Sequence, residues 1–415
     1  MAVSEKTAQR HNRWKCQILK IIRTTPNASR IVVKRQTGLS MESILGLVDE
    51  LLEEGLIRSR GVLEDGRVGR KATLLEINPD GCYFIGVRFS AGGIAGVCTN
   101  FEREVLYEYQ REFVARPDVQ TILEEIFACV SGLMERLGPR CERLRGIGVG
   151  APGIIDLEHG VITRYVHIPG WKAIPLRGIL TKRFGVPIYL EHGVKCTARA
   201  LISQPPYTGI HELLFMQMGR GINLCMITGG RIVYGASYLS GEIGHMNVAG
   251  NDRLCECGRV GCLETLAASG ALCAMAEEKV DTPPFAVLSG MLKGERPIHL
   301  RHLCTAANEG CEGCTALLSR AGQAIGEALA VSIMLANPGD VVLSGGLTAS
   351  LAFREAVVDT LSRHCLPESL ANAHLCFLPA DARKDALGAA ELPLQAQYGV
   401  VESGDPVQQA LEASL

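Results

Sequence analysis

The chain has 415 residues, 47% of them hydrophobic, and a formal net charge of −2, enough apolar material for two or three packed domains and too much for a disordered polymer. Its opening stretch, MAVSEKTAQRHNRWK, is charged where a signal peptide would be apolar, and no later run stays uncharged for the length a bilayer demands. The chain therefore reads as cytoplasmic without membrane insertion, and its 16 cysteines as mostly reduced core residues.

Charge is unevenly placed. Up to residue 40 the chain carries nine basic side chains, from Lys6 to Arg35, against the single acid Glu5, and the remainder is correspondingly acidic. A basic arm on an acidic body suits contact with nucleic acid. From Asn12, the apolar residues Trp14, Ile18, Ile21 and Ile22 recur at helical spacing until Pro26 ends the run. A short helix over Ser29 to Thr37 is broken by Gly38. Ser40 can then cap a helix with apolar Ile44, Leu47, Val48, Leu51 and Leu52, which Gly55 stops. Two strands follow around a basic tip holding Gly66, Arg67, Gly69, Arg70 and Lys71. That order predicts a winged helix-turn-helix over residues 1–80 that binds a DNA operator. The DNA-binding candidates are Arg30, Ser40, Glu42 and Ser43 on the helices and Arg67, Arg70 and Lys71 on the wing. The segment SMESILGLV is an unusual reading helix: Glu42 can accept from cytosine but repels phosphate, and Leu45 and Gly46 offer bases nothing polar.

After the NPDG turn at Asn78 to Gly81, apolar strands ending in glycine turns alternate with helices, as in CYFIGVRFSAGG, RGIGVGAPG, VPIYLEHG and PGDVVLSGG. This predicts an α/β body of two lobes. Within it, CECGRVGCLE sets Cys255, Cys257 and Cys262 around two glycines. With His245 as fourth donor they make a closed tetrahedral set for structural zinc, with no position left for a water. Glu242, three residues before His245, lies on the same side of a helical turn. If one imidazole nitrogen holds the metal, the other becomes a directed hydrogen-bond donor. Together with Glu264, just after Cys262, these groups suit a polyhydroxylated ligand. Cys311 and Cys314 lack a fourth donor and read as core or surface thiols.

The ordered set of helix-turn-helix, GVGAPGIID, HIPGWKAIPL, GEIGHM, CECGRVGCLE and VVLSGGL resembles the ROK family of sugar-responsive repressors and sugar kinases, over roughly residues 10–395. The resemblance implies an actin-like ATPase fold with sugar in the cleft. It also makes Glu242, His245 and Glu264 sugar contacts, His245 serving the zinc as well. The expected layout is 1–80 for the DNA-binding domain, 81–193 for a first lobe joined by a returning helix at about 385–400, and 194–384 for a second lobe with the zinc knuckle and sugar site.

Three departures separate the chain from the family's kinases. Where those have an asparagine–aspartate pair, the aspartate being the general base, this chain has His192 and Gly193, and glycine accepts no proton. RFSAGG stands where kinases resemble DIGGTK, so Arg88 replaces an aspartate; Arg220 and Asn223 replace a threonine and a glycine in MGRGIN. His192 then reads as a ligand contact rather than a base. The expectation is a non-enzymatic repressor of carbohydrate metabolism, acting as a homodimer or homotetramer on paired half-sites and answering to a sugar or sugar phosphate. The alternatives are a sugar or amino-sugar kinase, and an interaction protein controlled by a regulatory protein partner.

Overall fold

The computed structural model describes residues 2–62, 72–113 and 116–399. Three helices open the chain: α1 (Ala2–Thr24), α2 (Arg30–Thr37) and α3 (Met41–Glu53). Ser29 and Ser40 cap α2 and α3 by accepting from the amides of Val32 and Ser43, which relieves donors that the first helical turn leaves open. Gly38, at φ 73°, makes the left-handed turn between them. Ile44, Val48 and Leu51 of α3 pack on Ile18, Leu19 and Ile22 of α1. The strands β1 (Ile57–Val62) and β2 (Thr73–Ile77) form an antiparallel ribbon behind them. The ribbon tip with Arg67, Arg70 and Lys71 lies outside the described residues.

The body repeats one sheet plan twice. In the first sheet β3 (Tyr83–Ser90), β4 (Gly93–Asn100) and β5 (Val105–Glu112) run as an antiparallel meander. After α4 (Val119–Leu137) the strand β6 (Leu144–Ala151) pairs parallel with β3. The three-stranded flap β7 (Ile154–Asp156), β8 (Val161–Arg164) and β9 (Lys172–Ile174) and then α5 (Leu176–Phe184) precede β10 (Ile188–His192), which pairs parallel with β6. The helix α6 (Gly193–Ile202) leads to the second sheet, whose meander is β11 (Leu213–Met218), β12 (Ile222–Thr228) and β13 (Arg231–Ile232). The helices α7 (Glu264–Ala267), α8 (Ser269–Glu277), α9 (Ala286–Leu292), α10 (Leu300–Asn308) and α11 (Glu312–Ala336) follow. Next come β14 (Asp340–Gly345), α12 (Leu351–His364), α13 (Pro367–Ala371) and β15 (His374–Leu378), the two strands adding in parallel beside β11.

The last helix, α14 (Ala382–Tyr398), returns to the first sheet. It lies so close that a Cβ on Gly86 of β3 or Gly148 of β6 would strike its backbone at Ala386 or Ala389. Its far side joins the N-terminal helices: Ile18 and Ile22 share one apolar cluster with Phe84, Phe101, Leu387 and Leu394. Arg23 adds a hydrogen bond to the Phe101 carbonyl at 3.0 Å. The N-terminal unit is thus seated on the first lobe through a continuous apolar core. Among the described residues no helix is long and apolar enough to cross a membrane.

Candidate metal and ligand site

The site grows from the turn after β13. A Cβ on Gly244 would lie 2.8 Å from Glu264 Cγ, and one on Gly241 would collide with the Leu224 carbonyl. Glycine at both points lets the SGEIGHM segment lie flat on β12. Ile243–His245 forms a single 3-10 turn, its His245 amide bonded to the Glu242 carbonyl at 3.2 Å, so Glu242 and His245 stand one turn apart as their spacing predicts. The knuckle is a tight hairpin in which the Cys255 amide meets the Arg259 carbonyl at 2.8 Å. Gly258 at φ 91° and Gly261 at φ 86° take up conformations that other side chains resist.

One donor atom from each of His245, Cys255, Cys257 and Cys262 lies within 4.8 Å of all the others. The Cys255 sulfur is 3.8 Å from His245 Nδ1, and the Cys257 and Cys262 sulfurs are 3.7 Å apart. A tetrahedral zinc with sulfur ligands at about 2.3 Å has edges of about 3.8 Å, so these residues fit a metal ion. Burial opposes ionisation of Cys257, yet bonds from the Arg259 amide and guanidinium outweigh it and bring the thiol down to about 7, towards the thiolate that binds metal. His245 Nδ1 lies 3.8 Å from the Cys255 sulfur and 3.8 Å from Glu264 Oε2, so the imidazole stands between the knuckle and that carboxylate.

Glu264 opens α7 and is 9% exposed; its Oε1 accepts from the Ile222 amide at 2.8 Å. Burial raises its pKa against that bond. Burial also raises Glu242, with Glu264 adding to the effect and His245 and Lys195 opposing it. Glu242 begins the turn that carries His245, and His245 Nδ1 lies 3.8 Å from Glu264 Oε2, so the two carboxylates and the imidazole lie together in the second lobe.

The facing wall differs. His192 ends β10 and Gly193 begins α6. A Cβ on Gly193 would collide with the Arg88 guanidinium, lying 2.6 Å from Nη2. Two separate departures in the sequence are hence one packing event. Arg88 donates through Nη1 to the Phe89 carbonyl. His192 is 6% exposed, and burial, with Lys195 and Arg88 nearby, drives its pKa down to about 3, so the ring is neutral at physiological pH.

Sequence reading missed a polar network below this wall. Glu191, fully buried, accepts from the His192 amide at 2.7 Å and from the Tyr234 hydroxyl at 2.7 Å, while Arg199 donates to that hydroxyl at 2.8 Å. Lys195 donates to the Tyr238 carbonyl at 3.1 Å and lies 4.6 Å over the Tyr234 ring. Asp385 accepts from Thr197 at 2.6 Å and from Gln217 at 3.2 Å. Lys195 and Arg199 are one turn apart in EHGVKCTAR, a signal easily taken for a solvated helix face. The knuckle also reaches the first lobe: His167 Nδ1 is 2.7 Å from Glu256 Oε2, and Arg164 donates to the Cys257 carbonyl at 3.3 Å.

In the N-terminal unit Ser40, Glu42 and Ser43 are exposed at the start of α3, with the Ser40 oxygen engaged by the Ser43 amide at 3.1 Å. Arg30 is paired with Asp49 at 2.5 Å, and Lys15 with Glu54 and, at 3.5 Å, Glu50. Part of the basic arm thus braces α3. Cys311 and Cys314 are core thiols, 1% and 0% exposed, and Cys311 donates to the Pro284 carbonyl at 3.4 Å.

Two repeated α/β lobes, a cysteine–histidine knuckle beside paired carboxylates and an N-terminal helical unit define a sugar-kinase-like body joined to a DNA-binding module. The chain belongs to the ROK family, whose model matches residues 84–396. It is 30% identical to a putative xylose repressor of Caldicellulosiruptor sp. (strain Rt8B.4), over 65% of this chain and 67% of that protein. It is 27% identical to the DNA-binding transcriptional repressor Mlc of Escherichia coli (strain K12), over 82% of each. The fold matches the crystal structure of a ROK family transcriptional regulator, described as a homologue of the E. coli MLC protein, with a TM-score of 0.77 at 20% identity, covering 97% of this chain and 99% of that one.

Proposed function

We propose that this chain is a DNA-binding transcriptional repressor of carbohydrate metabolism whose kinase-like body senses a sugar without phosphorylating it. The observation that carries the second half is Gly193 under the Arg88 guanidinium: at the position where the resemblance puts a general base there is no carboxylate, and an arginine head group fills the space beside it. General-base catalysis is typically worth a factor of about 10² to 10⁴. The repressors among its relatives support the first half.

Zinc held by His245, Cys255, Cys257 and Cys262 is structural in this reading, and it fixes His245 so that its free ring nitrogen faces the ligand. Glu242 and Glu264 accept from sugar hydroxyls. A ligand bridging the two walls favours one lobe angle, and the N-terminal unit moves with the first lobe. In a homodimer or homotetramer that motion changes the spacing of two helix-turn-helix units on paired half-sites. The wing residues Arg67, Arg70 and Lys71 supply phosphate contacts, while Ser40, Glu42 and Ser43 face the bases. The test is a coupled assay for sugar-dependent ATP consumption on the purified chain. No turnover above background is expected; robust turnover abolished by His192→Ala would favour the kinase reading.

A further inference from the structure

Deepening the DNA-binding reading above, and resting on it, we infer that the chain selects its operator through the 5-methyl groups of thymines, which pack against Met41 and Leu45 on α3. The exposed residues of α3 are Met41, Glu42, Ser43, Leu45, Gly46 and Asp49. None is an arginine, lysine, asparagine or glutamine, the side chains that most often hydrogen-bond base edges. Met41 and Leu45 stand one helical turn apart on this face, 37% and 43% exposed.

The surroundings of this face favour DNA as its occupant. Lys34 and Arg35, in the last turn of α2 just before the Gly38 turn, are exposed, and on α3 the acid Asp49 is held by Arg30 at 2.5 Å. Cations therefore flank a face that itself carries none, which matches a groove with phosphate along its edges and bases on its floor. Two apolar side chains fall far short of the roughly 800 Å² per partner that a stable protein interface needs, so a protein is the weaker match. The fold does not require glycine at position 46: nothing lies within 4 Å of where its Cβ would stand, and glycine weakens a helix interior. Its effect is to bare the α3 backbone beside Leu45, which lets the helix seat close to the base edges.

Among the four bases thymine alone offers a methyl group in the major groove, and apolar side chains discriminate by contact with it. The other three present hydrogen-bonding groups there, which a leucine or methionine strips of water without replacing it. Glu42, beside Met41 and one turn from Gly46, accepts from a cytosine amino group and is repelled by phosphate, so it turns the start of α3 towards the bases. A thymine covered in this way gains about what one buried methyl group is worth, a factor of about three to five in affinity.

The experiment takes genomic fragments retained by the full chain, locates the half-sites by footprinting and replaces their thymines one at a time by deoxyuridine, which pairs identically and lacks only the methyl group. At one or more positions in each half-site the affinity should fall about three- to fivefold. Leu45→Ala or Met41→Ala should bind the thymine and deoxyuridine forms equally at the position that residue covers; both side chains are exposed, so neither change removes a core contact. Unmodified protein that binds every deoxyuridine form as tightly as the thymine form would overturn the inference while leaving the DNA-binding reading intact, and this arm needs no variant to fold. Discrimination that survives in both variants would also overturn it, since the methyl groups are then read elsewhere. If no fragment is retained at all, the DNA-binding reading fails and this inference with it, and the apolar face of α3 belongs to a protein contact instead.

Discussion

The two sheets share one plan, a three-stranded meander with two parallel strands added beside its first strand, yet their walls of the cleft are opposite in chemistry. The second lobe offers acceptors and a directed imidazole: Glu242, Glu264 and His245, anchored by a knuckle that fits a metal. The first offers cations and donors: Arg88, whose guanidinium lies over Gly193 at the start of α6, and the neutral ring of His192. In the proposed reading, fold duplication sets where a ligand sits, and a few side chains decide whether it is transformed or only held. In the second lobe glycines at 241 and 244 bring functional groups close to β12; in the first, glycine at 193 makes space for an arginine.

The largest effect that would break this contrast lies in the knuckle. Cys257→Ser should take bound zinc from about one per chain to none, measured by elemental analysis, and lower the melting temperature, because structural zinc binding is itself folding free energy. Full zinc with unchanged sugar affinity would mean that the knuckle does not anchor the second wall. Gly193→Asp addresses the first wall. The new side chain meets the Arg88 guanidinium, so a loss of about 1–3 kcal/mol in a denaturant titration is expected, with no gain of kinase activity. Adding Arg88→Ala should recover part of the loss; a stable, phosphorylating single variant would refute the packing account. The smallest effect belongs to the bridge between walls. Glu256 is about half exposed and pairs with His167, so Glu256→Ala should cost only about 0.2–1 kcal/mol of stability. A sugar affinity lowered by a similar amount, at most about fivefold, would confirm that the knuckle touches the first lobe when ligand is bound.

Much of this contrast was legible in the sequence, for physical reasons. The spacing of Cys255, Cys257 and Cys262 is local, and metal-binding chemistry admits few side chains, so the knuckle and its histidine could be read directly. Ser29, Ser40 and Gly38 declare their helix ends because capping is also local. The first wall was half legible: Arg88 and Gly193 stood out one at a time. Their contact joins residues over a hundred positions apart across β3, β6 and β10, which no periodicity encodes. The same holds for Glu191, Tyr234 and Arg199, where three polar residues that each look solvated are buried together because they satisfy one another. The internal pairing of the basic arm was not legible: Lys15 meets Glu54 at the end of α3, and Arg30 meets Asp49 on it, contacts that join residues 39 and 19 positions apart.

The central claim, a sugar held by the second lobe and read out on DNA, is tested most directly by one titration. Genomic fragments that the purified chain retains are titrated with the unmodified protein and with Glu264→Ala, each with and without the sugar that binds best. The unmodified chain should change its DNA affinity by about 5- to 150-fold on adding the sugar, the range that 1–3 kcal/mol of coupling allows. Glu264→Ala should bind the same fragments equally well and respond to no sugar. A Glu264→Ala protein that still responds like the unmodified chain would contradict the account, as would a chain that retains no DNA at all.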